Sequence, residues 1–489
     1  MQLIIQNFGP IKQGQIDLTK KFYVFVGYNN TGKTYVSQLL WSIFNEETIV
    51  NFSKSIDIPE LNLDKLEKKL EENAESAFDI TPEIVDQILE QFAHFLKDKV
   101  VPKILNIDKQ HFILKEFCVD FEYDINTVKK GSGTISYFPS REILRKISKE
   151  KDSLTIKLTE ENISKKWPNI PPNNTSHRSY VATCYELIIS LLFSTHHHQP
   201  VFLPSSRLFY PLFYSYIYRI QKEKYDKISQ NIEEILERKQ EGERIDLSSF
   251  LLGNAFERDY TEPMNVLFDK LYQLNEEMTV QNHYEHLVAE MTTILGGDIV
   301  MSKKEGIAPI KFGFKPTSYN HHLPMFLSSS SVNQLSTLYL YFKYWAQKNH
   351  NFLMIDEPEE NLHPKNQMAL LNVLLTFAAA NNNKVLIITH SPFLADAVNN
   401  YLYLFWLKSQ SVDVSKIVAD YYPEINPDLN LSTDDIAIYF FEGTRIVPYE
   451  RGDYGVLFSD FDAEQRKIKQ IELVLTEKMY QLLNDDEEY

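Results

Sequence analysis

The sequence predicts an α/β protein built on a sheet whose strand ends carry a phosphate-binding site. Three observations predict this class: a glycine-rich loop between a strand and a helix, a buried strand that ends in two carboxylates, and another that ends in a histidine. Strands that alternate with helices form parallel sheets, and ligands bind at the C-terminal ends of such strands. We therefore expect these three segments to meet at one edge of a sheet.

The glycine-rich loop is the first segment. Residues 27–34 read GYNNTGKT and fit the pattern G-x-x-x-x-G-K-[ST]. Residues 22–26 before it are apolar, as in a buried strand, and apolar residues follow it at helical spacing. Backbone N–H groups in such a loop bind phosphate, so the predicted contacts are Gly27, Asn29, Asn30, Thr31, Gly32, Lys33 and Thr34. Lys33 is expected to reach the β- and γ-phosphates, and the Thr34 hydroxyl to bind Mg²⁺.

The two carboxylates follow the apolar run at residues 352–355. We predict that Asp356 holds Mg²⁺ through water and that Glu357 orients and deprotonates the attacking water. The strand at residues 384–389 ends at His390, which is placed to donate to a γ-phosphate oxygen. Out of this context, His390 would be interpreted as a capping or core histidine.

Other segments carry weaker signals. Residues 328–331 are four serines that lead into a predicted helix, and residues 201–203 form a short strand before a polar turn that contains Arg207. The three histidines at 196–198 are adjacent rather than helically spaced, so we interpret them as an exposed loop and not a metal site.

Composition restricts the functional class. Acidic residues exceed basic ones, with a formal net charge of −17, which does not suit a protein whose whole surface wraps nucleic acid, although a local basic groove stays possible. The two cysteines, Cys118 and Cys184, form no disulfide framework or zinc motif. No signal peptide or membrane span is apparent, so the sequence predicts a cytoplasmic protein.

The ordered motifs resemble the ABC-type ATPase heads of the SMC, RecF and OLD families. The matching stretches are GYNNTGKT (Walker A), SSSSVNQ at 328–334 (a degenerate signature), LMIDEPEENLHP at 353–364 (Walker B and D-loop) and IITHS at 387–391 (switch histidine). The resemblance implies an ABC-type P-loop ATPase head, with a mixed β-sheet flanked by helices and a large, mostly helical insertion. It also implies ATP and Mg²⁺ as cofactors and hydrolysis of ATP.

The resemblance and the spacing of 323 residues from Lys33 to Asp356 suggest a division of the chain. Residues 1–50 and 295–489 are expected to form the head, 51–200 a mixed α/β insertion, and 201–294 a helical arm or cap.

The resemblance further implies a head-to-tail dimer, or a higher oligomer, that closes on ATP. A signature serine, Ser330 or Ser331, with Asn333 nearby, would contact the γ-phosphate bound by the partner subunit, and Asn361 of the D-loop would cross the interface. The serines depart from the usual double glycine of the signature. The sequence does not identify the Q-loop glutamine.

Three functions follow from the resemblance. NFGPIK at 7–12 and DEPEENLHP at 356–364 look especially like OLD-related ATPases of bacterial antiphage systems such as Septu, PARIS, Gabija and some retrons. We therefore expect an ATPase that senses invasion and regulates a separate nuclease or toxin encoded nearby. The alternative is a RecF-like repair ATPase that binds DNA.

The third function is that of an OLD-type nuclease in its own right, which would need a Toprim domain. The candidate acids are Glu442, followed by Gly443, and the pair Asp460 and Asp462. Asp460 follows Glu442 by only 18 residues, too few for the strand–helix units of that domain. We favour a strand and loop that close the ATPase sheet.

Overall fold

The structure is a computed structural model of the 489-residue chain. It describes residues 1–61, 63–137, 143–162, 180–193, 199–209, 260–274, 278–302, 310–421, 426, 429–449, 456, 466–467 and 469–476. The histidines at 196–198, the acids at 460 and 462, and most of the predicted arm at 201–294 lie outside these ranges.

The strands and helices follow one another along the chain. The strands are β1 (Gln2–Phe8), β2 (Ile11–Asp17), β3 (Phe22–Gly27), β4 (Glu75–Asp79), β5 (Cys118–Glu122), β6 (Gly133–Tyr137), β7 (Ile143–Lys149), β8 (Thr155–Asn162), β9 (Gln199–Leu203), β10 (Gly297–Met301), β11 (Phe312–Pro316), β12 (Leu323–Pro324), β13 (Asn351–Asp356), β14 (Lys384–Ile388), β15 (Ile436–Glu442) and β16 (Arg445–Pro448). The α-helices are α1 (Lys33–Phe44), α2 (Glu46–Ser53), α3 (Leu63–Asn73), α4 (Pro82–Phe95), α5 (Val101–Leu105), α6 (Ile125–Lys130), α7 (Tyr180–Phe193), α8 (Glu262–Gln273), α9 (Glu285–Leu295), α10 (Ser330–Leu340), α11 (Pro364–Ala379), α12 (Pro392–Ser409) and α13 (Ser415–Tyr421).

The main sheet has nine strands in the order β5-β1-β2-β16-β15-β3-β14-β13-β9. From β15 to β9 neighbouring strands run parallel, whereas β1 pairs antiparallel with β2 and β5. The C-terminal ends of β3, β13 and β14 therefore lie side by side at one edge. This arrangement confirms the predicted fold class, a P-loop ATPase fold with a mixed sheet flanked by helices.

The core lies on both faces of this sheet because its central strands are buried on both sides. Alternate residues of β3 belong to different hydrophobic clusters: Tyr23 and Phe25 pack with α1, whereas Phe22, Val24 and Val26 pack with α10 and α11. An uninterrupted apolar run is the expected pattern for such a strand.

Two smaller sheets accompany the main one. β4, β8, β7 and β6 form a four-stranded antiparallel sheet, and β10, β11 and β12 form a three-stranded one. The described part of 51–200 thus combines helices with the four-stranded sheet. It also supplies β5 and the first two residues of β9 to the main sheet, whereas the other three residues of β9 belong to the range predicted as the arm, 201–294.

A buried polar network fixes the starts of β13 and β14. The Asn383 Oδ1 atom accepts from the Asn351 backbone N–H at 3.0 Å, and its Nδ2 donates to the Tyr284 hydroxyl at 2.8 Å. The Asn351 side chain in turn donates to the Gln347 carbonyl at 2.7 Å. Because buried polar groups are stable only when paired, this network holds the two strands that carry Asp356 and His390 in register.

Candidate active site

The glycine-rich loop joins β3 to α1, and its two glycines have backbone conformations that other residues avoid. Gly27 has a φ of 142° and Gly32 a φ of 91°. A Cβ atom at Gly27 would lie 2.7 Å from the Phe441 carbonyl oxygen, and one at Gly32 would lie 2.9 Å from Ile11 Cδ1. Both positions therefore require glycine, which lets neighbouring strands pack tightly against the loop.

The Lys33 side chain is buried at the start of α1, and its ammonium group bonds to the loop. Its Nζ atom donates to the carbonyls of Gly27 at 3.0 Å and Tyr28 at 2.6 Å. Burial lowers the pKa of Lys33 to about 8, although Asp356 and Glu357 oppose this shift. The cation thus lies within the predicted phosphate cradle.

Thr34 and Asp356 meet across the sheet edge. The Thr34 Oγ1 atom donates to Asp356 Oδ2 at 3.3 Å. Burial, followed by the neighbouring Glu357, raises the pKa of Asp356 to about 6, against the opposing effects of Thr34, Arg207 and Lys33. A hydroxyl and a carboxylate are the hard oxygen ligands that Mg²⁺ prefers, and a buried carboxylate of raised pKa is a group that a cation would stabilise in its charged form. These two residues therefore fit a bound Mg²⁺.

Glu357 has a left-handed backbone, with a φ of 49°. A non-glycine residue in this region costs about 1–3 kcal/mol and persists only where its surroundings hold it. Here the Glu357 N–H donates to the Ile388 carbonyl at 2.8 Å, and its carbonyl accepts from Arg207 Nη2 at 2.8 Å. The side chain is half-buried at the tip of β13.

His390 follows β14 and hydrogen-bonds to the Gly27 backbone. Burial, followed by the nearby Lys33, lowers its pKa, and the bond to Gly27 opposes this shift. Glu359 connects His390 to the D-loop, since its Oε1 atom accepts from Thr389 Oγ1 at 2.6 Å and from the His390 N–H at 3.3 Å. The structure thus brings His390 to the Walker A loop.

The serine run lies at the N-terminus of α10. Ser329 is the N-cap residue, and its hydroxyl accepts from the Val332 N–H at 3.3 Å and lies 2.8 Å from Ser331 Oγ. Ser330 is exposed and Ser331 is half-exposed. Ser329, like Ser330, is exposed at this end of the helix, so it is a third candidate for the signature serine beside Ser330 and Ser331.

Asn333 has a different placement from the serines. Its side chain is buried, and Nδ2 donates to the carbonyls of Met325, Ser328 and Ser329 at 3.1, 3.4 and 3.1 Å. It therefore supports the serine loop from beneath. Asn361, by contrast, is exposed and has a φ of 61°, a left-handed conformation that asparagine tolerates.

Arg207 is a further residue of the site, which its position in the sequence did not reveal. Its side chain is only 1% exposed, and its guanidinium donates to the carbonyls of Pro204, Asp356 and Glu357. Burial lowers the pKa of Arg207 to about 10, and the four nearby carboxylates oppose the shift. The one signal in the sequence was an arginine in the polar turn after an apolar strand.

Glu442 ends β15, which lies beside β3 in the main sheet. Glu442 lies opposite Arg445 in the antiparallel pairing of β15 with β16. Gly443, in the turn between them, has a φ of 57°, as tight turns between strands require. This placement supports the interpretation of residues 436–448 as strands that close the ATPase sheet.

A family model of the AAA ATPase domain matches residues 1–395. The chain belongs to the AAA ATPase domain family. The matched range contains the glycine-rich loop, the serine run, both acids and His390. No curated protein matches the chain.

Among solved structures, the chain is similar to SMC heads. These include the SmcHead bound to the C-winged helix domain of ScpA (10% identity, 92% of this chain and 97% of that chain, TM-score 0.31). Others are the Smc head domain with an extended coiled coil bound to the C-terminal domain of ScpA from Pyrococcus furiosus (10%, 96% and 98%, 0.30) and the SMC head domain from Thermotoga maritima (10%, 92% and 98%, 0.29). Within the described residues, no helix combines the length and apolarity needed to cross a membrane.

Proposed function

We propose that the protein hydrolyses ATP and uses the ATP-bound state as a switch that closes a head-to-tail dimer. The observation that carries this proposal is the convergence of Lys33, Thr34, Asp356, Glu357 and His390 at the adjacent ends of three parallel strands. A cation, a metal-binding oxygen pair, a carboxylate base and a histidine donor are the groups that phosphoryl transfer to water needs.

The residues divide the work by position. Backbone N–H groups of the loop and Lys33 bind the phosphates, and Thr34 and Asp356 would hold Mg²⁺, which when bound neutralises phosphate charge. Glu357 accepts the proton of the attacking water, and His390 donates to the γ-phosphate oxygens. Lys33 must exchange its bonds to the Gly27 and Tyr28 carbonyls for bonds to phosphate.

A surface beside the signature supports dimerisation. Phe326 and Leu327, which directly precede the serine run, are 74% and 62% exposed. Large apolar side chains exposed together mark interaction surfaces more often than isolated ones do. A partner subunit that delivers its ATP to Ser329, Ser330 or Ser331 would cover both side chains.

Replacing Phe326 with aspartate should therefore prevent ATP-dependent dimerisation. In a Glu357→Gln protein, which we expect to trap ATP, the added charge would be buried in the interface and would weaken the dimer at least about tenfold. Mass photometry with and without ATP measures this change. The control is Val412→Asp, at a 43% exposed valine beyond the C-terminal end of α12, whose N-terminal end is the one beside His390. Equal dimerisation of the two variants would exclude this surface from the interface.

We propose further that the switch regulates a separate effector, a nuclease or toxin, in antiphage defence, as the OLD-related motifs suggest. The alternative is a RecF-like ATPase that binds DNA. The contacts of the basic residues favour the effector: Arg145 pairs with Glu160 at 2.8 Å, Lys146 with Glu161 at 3.4 Å, and Lys149 donates to the Lys129 and Gly131 carbonyls. Lysines and arginines held in this way have less free charge to offer phosphates.

The Glu357→Gln protein can be co-expressed with the products of its neighbouring genes and affinity-purified in the presence of ATP. This experiment distinguishes the effector function from the repair function. We expect a stoichiometric nuclease or toxin in the complex, identified by mass spectrometry. Lys33→Ala, treated in the same way, is the control for nucleotide dependence. A dimer that retains duplex DNA, with binding that falls steeply as salt rises, would favour the repair function instead.

A further inference from the structure

β9 leads through Pro204 into a short 3₁₀ helix, Ser205–Phe209. Residues 204–207 form a connecting loop, which includes the first turn of this helix and contacts both halves of the site. We propose that this loop couples the ATP site to the signature serines of the same subunit, with Arg207 and Gln334 as its positioning residues. This proposal rests on the proposed ATP-dependent dimer. Through the loop, the nucleotide bound by a subunit would change the position of the signature serines that the same subunit presents to its partner.

On the side of the Walker B acids, Arg207 contacts the tip of β13. The guanidinium donates to the carbonyls of Asp356 and Glu357, and through Nη1 to Pro204 within the loop at 3.1 Å. The side chain is buried and planar, so it holds three carbonyls in one rigid arrangement. A change in the backbone of Asp356 or Glu357 therefore displaces the loop.

On the side of the signature, Gln334 contacts the same loop. Its side chain is fully buried, and Nε2 donates to the Ser205 carbonyl at 3.3 Å and to Glu360 Oε2 at 2.9 Å. Gln334 lies one helical turn beyond Ser330 in α10, so a displacement of its side chain shifts the first turn and the serines with it.

Glu360 connects the two positioning residues, Gln334 and Arg207. It accepts the hydrogen bond of Gln334 and is one of the carboxylates that stabilise the charge of Arg207. Gln334 therefore links the loop to Glu360, and the serine loop and the Walker B acids share one hydrogen-bonded and charged network. Coupling between two sites requires a physical element of this kind, on which both sites can act.

The test uses the full-length Glu357→Gln protein and the variant Gln334→Leu, which keeps the volume and removes the amide. We expect ATP affinity of the monomer, measured with a fluorescent ATP analogue, to change less than about threefold, and the dimer dissociation constant with ATP to rise at least about tenfold. The matched control is Gln367→Leu, because the Gln367 amide donates only to the Leu362 carbonyl among the bonds described, at 3.0 Å.

A double-mutant cycle with Arg207→Lys separates coupling from loss of stability. Lysine keeps the charge but cannot hold three carbonyls in one plane. If both residues act through the loop, their effects should not add. The dimer dissociation constant of the double variant should then be within about twofold of that of the single variant that dimerises more weakly. Thermal unfolding of each monomer without ATP identifies any variant that fails to fold, and Glu360→Ala, at an exposed residue, then tests the same link.

The outcomes separate the two proposals. A Glu357→Gln protein that stays monomeric with ATP would overturn the dimer, and the coupling with it. Two results would overturn the coupling alone. In the first, Gln334→Leu weakens the dimer no more than Gln367→Leu does. In the second, the changes in dimer dissociation constant caused by Arg207→Lys and Gln334→Leu multiply in the double variant.

Discussion

Lys33→Ala is expected to abolish ATP binding. The ammonium is buried within the cradle at the end of β3, and a charge-assisted bond to phosphate in such a site is much stronger than one in water. We expect at least about a hundredfold loss of affinity, or about 3 kcal/mol. Equilibrium titration with a fluorescent ATP analogue measures it.

The matched control for this change is Lys103→Ala. Lys103 is exposed and pairs with Glu47 at 3.5 Å, away from the glycine-rich loop. The Lys103→Ala variant loses the same charge as Lys33→Ala and should leave the affinity for ATP unchanged. Because Lys33 also bonds to the Gly27 and Tyr28 carbonyls, thermal unfolding of Lys33→Ala should accompany the titration. Binding within about threefold of the wild type by a folded Lys33→Ala protein would contradict the assignment of the loop.

Glu357→Gln should bind ATP and fail to hydrolyse it. Glutamine has the shape of glutamate but cannot accept the proton of the attacking water, and loss of a general base lowers the rate about 10²–10⁴-fold. The bonds that hold the left-handed backbone, to Ile388 and Arg207, involve main-chain atoms of residue 357 and persist in the variant. Single-turnover phosphate release, measured beside ATP binding, separates the two effects.

Glu359→Gln is the comparison that identifies the base. Glu359 is a second carboxylate near His390, and burial raises its pKa, so it too could take up a proton. Its Oε1 atom is already engaged by Thr389 and the His390 N–H, which makes it a support of the D-loop. We expect turnover within about tenfold of the wild type. Wild-type turnover by Glu357→Gln together with loss in Glu359→Gln would reassign the base.

Local sequence determined the elements that carry the site. The apolar runs before Gly27 and Asp356 predict buried strands because a strand covered on both faces needs no alternation of polar residues. The two glycines of the loop are required by backbone conformation and close packing, so they are visible in the sequence as a motif. The fold class and the meeting of the three strand ends followed from these local rules.

Tertiary structure alone decided which distant segments complete the site. β5 and β9 are strands of the main sheet although the sequence around them predicts an insertion, because pairing between remote strands leaves no mark in local periodicity. For the same reason Arg207, 149 residues from Asp356 in the chain, could not be assigned to the Walker B tip before the fold was known. Likewise, only packing shows that Asn333 lies beneath the serine loop whereas Ser329 caps its helix. Residue types specify which groups can perform chemistry, and strand order determines which of them meet.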